Sequence, residues 1–227
     1  MKEMIMLEEM VKITSEDGHI FDAFHAKPEG IEKGAVVILQ EIFGMTEQLK
    51  NVARYSASQG YCSILPAMYD RIKASTVIPF SDMETAQGMM KQLDPDKVLY
   101  DIKSSVEYVE NGRGVSLIGF CWGGGAAARM ASLINIRGAV SYYGTMLTEN
   151  TAGGAKCSTL FHFGENDPHS PTEIIELVKK NIPSAELFAY EAGHAFANDA
   201  RPDFYFEAAT LDARSRTLSF LDNLHNS

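Results

Sequence analysis

The sequence predicts a single three-layer α/β domain over residues 1–227, with an eight-stranded, mostly parallel sheet opened by an antiparallel hairpin. Three observations carry this reading. From residue 34 onward, short apolar runs rich in branched and aromatic residues alternate with segments of helical spacing, the βαβ rhythm of a parallel sheet. Runs such as Ala35-Val36-Val37-Ile38-Leu39 are apolar without a break, which suits strands covered by helices on both faces. The 227 residues fit one large domain, at about 150 residues per domain, and no linker, internal repeat or low-complexity tract divides them.

Taken in order, residues 10–14 and 20–26 flank the turn signal Glu16-Asp17-Gly18 and read as a hairpin. Six further strands are expected at 35–39, 61–65, 115–119, 138–143, 159–163 and 185–190. Helices are expected at 46–59, 82–93, 95–110, 124–133, 171–181 and from about 202 to 224. Residues 69–80 read as a long irregular stretch and a candidate pocket wall.

Composition excludes several classes. Twenty Lys and Arg against thirty Asp and Glu give a net charge of −10, which argues against a nucleic-acid partner. No apolar run approaches the roughly 18 residues of a membrane span, and Met1 to Met10 lack the basic start and apolar centre of a secretory signal. No membrane association and a cytoplasmic location are expected. The three cysteines, Cys62, Cys121 and Cys157, show no metal-ligand spacing and are expected reduced.

The chemistry concentrates at strand ends. In Gly119-Phe120-Cys121-Trp122-Gly123 a buried strand runs directly into an Ala-rich helix, the pattern of a nucleophile elbow with sulfur as the nucleophile. Glycines let strand and helix approach, and the helix N-terminus favours thiolate over thiol. There the Trp122 N–H can donate to an oxyanion. Cys62 and Cys157 lack such glycines and read as buried packing residues. A cysteine nucleophile needs a base, and the base an orienting acid. Asp167, in the turn Gly164-Glu165-Asn166-Asp167-Pro168, is the favoured acid, with Glu165 a competitor; His194, after Gly193, is the favoured base. The order nucleophile, acid, histidine, after the fifth, seventh and eighth strands, is that of the α/β-hydrolase fold. Such folds supply a second oxyanion donor after the third strand, here the Ile42 N–H. Glu41 beside it is either a solvated loop residue or a group that holds the thiol proton. Arg71 is either a surface charge or a fork for an anionic substrate group.

The strings Gln40-Glu41-Ile42-Phe43-Gly44, Tyr69-x-Arg71, Gly119-Phe120-Cys121-Trp122-Gly123-Gly124, Phe161-His162-x-Gly164-x-x-Asp167 and Tyr190-x-x-Gly193-His194-x-Phe196 together resemble the dienelactone hydrolase family over nearly the whole chain. The resemblance implies a carboxymethylenebutenolidase-like hydrolase with Cys121, His194 and Asp167 as its triad and Glu41 as partner of the thiol. It also implies Arg71 and Tyr69 as substrate contacts. Two positions depart from the pattern. The family enzymes acting on dienelactone carry Ser directly after the histidine and Arg four residues after it, whereas this chain has Ala195 and Asn198. Either Arg201 replaces the missing half of the carboxylate clamp, or the substrate differs.

Sulfur itself restricts the substrate. In a tetrahedral intermediate from a simple alkyl ester, thiolate is the better leaving group and returns to reactants. An enol ester, conjugated lactone or aryl ester releases a stabilised anion and goes forward to an acyl-cysteine. The expectation is a small-molecule ester or lactone hydrolase without metal or organic cofactor, a monomer or weak homodimer. The alternatives are a ligand-binding protein without turnover and a glutaminase-type amidotransferase. The second usually carries its acid two residues after the histidine, where this chain has Phe196.

Overall fold

The computed structural model describes residues 7–226, in two compact units, one ending at Val115 and the other beginning at Ser116. Six of the ten residues in the signal-free reading of Met1 to Met10, the first six, lie outside the described residues.

The first unit opens with β1 (Leu7–Thr14) and β2 (Ile20–Lys27), an antiparallel pair in register from Leu7 opposite Lys27 to Thr14 opposite Ile20. The chain continues through β3 (Gly34–Leu39), α1 (Glu47–Ser58) and β4 (Tyr61–Pro66), then α2 (Met83–Met90) and α3 (Pro95–Val109). Strand order is β1-β2-β4-β3, with β2 antiparallel and β3 parallel to β4. Every residue of β3 and β4 is buried, as their unbroken apolar runs require. Alternation along β4 sets the layers: the Ser63 hydroxyl donates to the Ala53 carbonyl of α1, while its neighbour Cys62 points the other way, to His25, whose ring meets Tyr108 of α3. Helix starts follow capping chemistry. The Thr46 hydroxyl accepts the Leu49 N–H, and Asp94 accepts from Asp96 and Lys97 ahead of Pro95.

The second unit takes in β5 (Val115–Phe120) from its second residue, then α4 (Trp122–Leu133), β6 (Gly138–Tyr142), the short α5 (Leu147–Asn150), β7 (Ser158–Gly164), α6 (Thr172–Asn181), β8 (Glu186–Tyr190) and α7 (Glu207–His225). Its four strands lie in sequence order and are all parallel. The two faces are again distinct. Phe161 and Phe163 of β7 pack with Ala128 of α4, with Val178 of α6 and with Ile182, which caps that helix. His162 between them turns to the other face and meets Thr217 of α7. The eight strands and the α/β class match the sequence expectation.

Four boundaries differ from it by two residues or more, among them β1, which starts at Leu7 rather than Met10, and α2, which ends at Met90 rather than Leu93. Helix α4 starts at Trp122, two residues earlier than periodicity suggests, because the chain turns at Cys121 alone. Helix α7 starts at Glu207 rather than near Pro202, because the Phe206 N–H bonds to the Phe196 carbonyl instead of joining a helical ladder. The four-residue α5 was not expected at all, being too short to show periodicity. Residues 69–80 are irregular as expected, apart from a 3-10 turn at Met68–Arg71, and the Ile78 N–H ties them to the Phe43 carbonyl. Among the described residues, no helix is long and apolar enough to cross a membrane.

Candidate active site

Cys121 sits alone between β5 and α4 with φ +54° and ψ −117°, a backbone conformation unfavourable for any residue with a Cβ. Four hydrogen bonds hold it there. Its N–H donates to the Tyr142 carbonyl at 3.0 Å, and its own carbonyl accepts from Gly124, Gly125 and Thr145 at 3.0, 3.2 and 3.1 Å. Glycine at 119 is a steric demand of the same turn, since a Cβ there would lie 1.9 Å from the Gly123 carbonyl oxygen. The result places the sulfur beside the N-terminus of α4, whose first N–H groups, Trp122 among them, lack intrahelical acceptors.

A second close approach brings acid and base together. The Glu165 N–H donates to the Tyr190 carbonyl and the Asn166 N–H to the Ala192 carbonyl, so the loop after β7 is laced to the loop after β8. A Cβ on Gly164 would lie 2.5 Å from the Ala192 carbonyl oxygen and 2.7 Å from that of Gly193, so only glycine permits this lacing. Asp167 and His194 follow from these two loops. His194 Nδ1 lies 2.8 Å from Asp167 Oδ2, and His194 Nε2 lies 3.1 Å from Cys121 Sγ. Glu165, the competing acid, is exposed. Cys121 keeps 9% of its residue exposure and the His194 side chain 18%, so the pair is shielded yet open at one side.

Residues that the sequence reading passed over complete the arrangement. The Asp167 carboxylate also accepts the His169 N–H at 2.8 Å and the Ser170 hydroxyl at 3.3 Å. The His194 ring meets Tyr143 edge-on at 5.2 Å between centroids and His169 at 4.9 Å. An aspartate two residues before an N–H donor is a local turn signal that could have exposed the first of these contacts. The ring contacts have no signature in the sequence.

Electrostatics follow from the pairing. Burial alone would lower the proton affinity of His194. Its hydrogen bonds to Asp167 and Cys121, and their charges, outweigh burial and push it up to about 10. Burial opposes ionisation of Asp167 too, yet the bond and charge of His194 hold its carboxyl below the usual carboxylate range. Elsewhere burial dominates: the Cys62 thiol is pushed up to about 12, with Lys27 opposing weakly, and Cys157 to about 11. A thiol with a raised pKa stays protonated until the pH approaches that value, so both remain unreactive at pH 7. Iodoacetamide at pH 7 is therefore expected to alkylate Cys121 at least about tenfold faster than either. Peptide mass mapping of a time course checks this, and equal labelling of the three would refute it.

In the first unit, Glu41 and Ile42 are buried in the segment that follows β3, and the Gln40 side-chain carbonyl accepts the Met68 N–H. Tyr69, expected as a substrate contact, is 1% exposed and donates its hydroxyl proton to the Ile42 carbonyl at 2.7 Å. Arg71, expected as a fork for a substrate carboxylate, grips Asp101 with Nε and Nη2 at 2.6 and 2.7 Å and Asp17 with Nη1 at 2.8 Å. Two carboxylates already neutralise this guanidinium and fix its plane. In the second unit Asn198 is buried, its side-chain oxygen accepting the Ala200 N–H, and the Arg201 guanidinium carbon lies over the Phe204 ring, 4.0 Å from its centroid. Ala195 is buried with φ +63°.

A strand-turn-helix elbow, an acid after the seventh strand and a histidine after the eighth define an α/β-hydrolase fold. The profile of the dienelactone hydrolase family matches residues 21–225, and the chain belongs to that family. The carboxymethylenebutenolidase of Pseudomonas putida is 31% identical over 97% of this chain and 99% of its own length. Carboxymethylenebutenolidase 1 of Cupriavidus pinatubonensis is 30% identical over 95% and 97%. The crystal structure of a candidate dienelactone hydrolase from Klebsiella pneumoniae superposes with a TM-score of 0.85 at 25% identity, covering 95% of this chain and 98% of the other. Membership supports hydrolase activity on esters or lactones.

Proposed function

We propose that this protein hydrolyses activated esters or lactones through an acyl-cysteine intermediate, with Cys121 as nucleophile, His194 as acid and base, and Asp167 orienting the imidazole. The observation that carries the reading is the pair of bonds on one ring, 3.1 Å from Nε2 to Sγ and 2.8 Å from Nδ1 to a carboxylate. The names of the relatives from Pseudomonas putida and Cupriavidus pinatubonensis point to a lactone as one member of the substrate class.

Sγ, as the thiolate, attacks the substrate carbonyl, and the Trp122 N–H stabilises the oxyanion that forms. Collapse breaks the acyl–oxygen bond, the leaving enolate, phenolate or ring oxygen takes the proton from His194 Nε2, and a thioester remains on Cys121. Water then loses a proton to His194 as its oxygen attacks the thioester carbonyl. The second collapse expels thiolate, leaves His194 protonated and releases the carboxylic acid, which ionises in solution. For Glu41 we propose the role that the family resemblance implies, partner of the thiol, and for the Ile42 N–H that of second oxyanion donor.

The test is chemical trapping. Mixing the protein with excess aryl acetate and quenching with acid within the first turnover is expected to add one acetyl group to the peptide containing Cys121, with a burst of phenol equal to the enzyme. Turnover with the acetyl group on another residue would reject Cys121 as nucleophile. Absence of both turnover and adduct would favour a binding protein.

A further inference from the structure

His169 is not among the residues that the motifs assign, yet its ring lies 4.9 Å from the His194 ring, tilted by 60°. We infer that His169 is a positioning residue for the reaction, its side chain bracing the His194 imidazole on the solvent side so that Nε2 stays aimed at Cys121 Sγ. The inference rests on the triad reading above.

The geometry gives the brace its means. His194 has both ring nitrogens committed, to Asp167 and to Cys121, so a further neighbour acts on it only through the ring itself. Tyr143, one such neighbour, is fully buried and anchored by its N–H to the His162 carbonyl at 2.8 Å. His169 is the other and is exposed, which places it toward solvent. The loop that carries it is stiff. Pro168 and Pro171 flank the dipeptide His169-Ser170, and both its residues bond back to Asp167, through the His169 N–H, the Ser170 N–H and the Ser170 hydroxyl. A ring on such a loop loses little freedom in staying against its partner. The same partner carries positive charge when protonated, which an aromatic face favours.

A His194 ring that swings away leaves substrate affinity intact and lowers the fraction of complexes able to react. His169→Ala is therefore expected to lower kcat for an aryl acetate about 3–10-fold, the size of one aromatic pair, with KM unchanged within about twofold. His169→Phe, which keeps a ring and removes both nitrogens, is expected to return kcat to within about twofold of wild type. Iodoacetamide alkylation of Cys121 should slow in His169→Ala and recover in His169→Phe. Equal kcat in wild type and His169→Ala would overturn the proposal, as would His169→Phe no better than His169→Ala. The two readings fail separately. If wild type does not turn over, or Cys121→Ala is undiminished, the hydrolase reading falls and alkylation alone decides the brace. Slowing in His169→Ala that phenylalanine reverses would uphold it, and equal rates would reject it.

Discussion

Cys121→Ala is expected to lower kcat for an aryl acetate by about 10⁴-fold or more, because it removes the one atom that forms the covalent bond to substrate. His194→Ala is expected to cost about a thousandfold, the range for loss of a general acid and base. The two losses should not multiply. The double variant is expected to resemble Cys121→Ala alone, since without the sulfur no acyl-cysteine forms for the imidazole to act on. Folding is expected to survive. Alanine meets the same left-handed backbone conformation that cysteine already tolerates at 121, and the four main-chain bonds that hold the turn do not involve the sulfur. Circular dichroism of each variant provides the control, and Cys157→Ala provides a cysteine variant expected to retain full activity. A Cys121→Ala protein that turns over at the wild-type rate would remove the basis of the mechanism.

The features legible in the sequence were those decided within a few residues. The turn at Cys121 is marked because a strand that ends in a one-residue turn needs glycine at 119, where a Cβ would lie only 1.9 Å from the Gly123 carbonyl oxygen. The approach of the loops that carry Asp167 and His194 has a related mark in Gly164, where a Cβ would lie 2.5 Å from the Ala192 carbonyl oxygen. Residues whose partners lie far along the chain were not legible. Arg71 is neutralised by Asp101 and Asp17, which are 30 and 54 positions away, and no local pattern distinguishes such an arginine from one that awaits a substrate. Tyr69 is similar, since its hydroxyl serves a carbonyl 27 positions away. The start of α7 belongs to the same group, set by a bond from Phe206 back to Phe196 that competes with helical pairing. Local steric demands leave marks in the sequence, whereas long-range ion pairs and ring contacts leave only residue types that many environments would accept.

Discrimination between leaving groups is the second large effect. For a phenyl ester and an ethyl ester of the same acid, kcat/KM is expected to differ by about 10³-fold or more in favour of the phenyl ester. The reason lies in the fate of the first intermediate. A thiol ionises near pH 8.5, whereas an alkanol approaches the weak acidity of water, so collapse of the ethyl ester adduct expels sulfur unless His194 delivers its proton first. The Asp167 bond and charge hold that proton on His194, although the sulfur, a neutral thioether in the adduct, no longer adds to the affinity. A phenolate needs no such rescue. Cys121→Ser supplies the decisive comparison. An alkoxide nucleophile is no better a leaving group than ethoxide, so the variant is expected to be slower on both esters but to lose most of the discrimination between them. Rates measured for the two esters with the two proteins give four numbers, and the ratio of ratios isolates the contribution of sulfur. A wild-type enzyme that cleaves ethyl and phenyl esters equally well would show that collapse is not governed by the thiolate, and with that the restriction to activated esters and lactones would be lost.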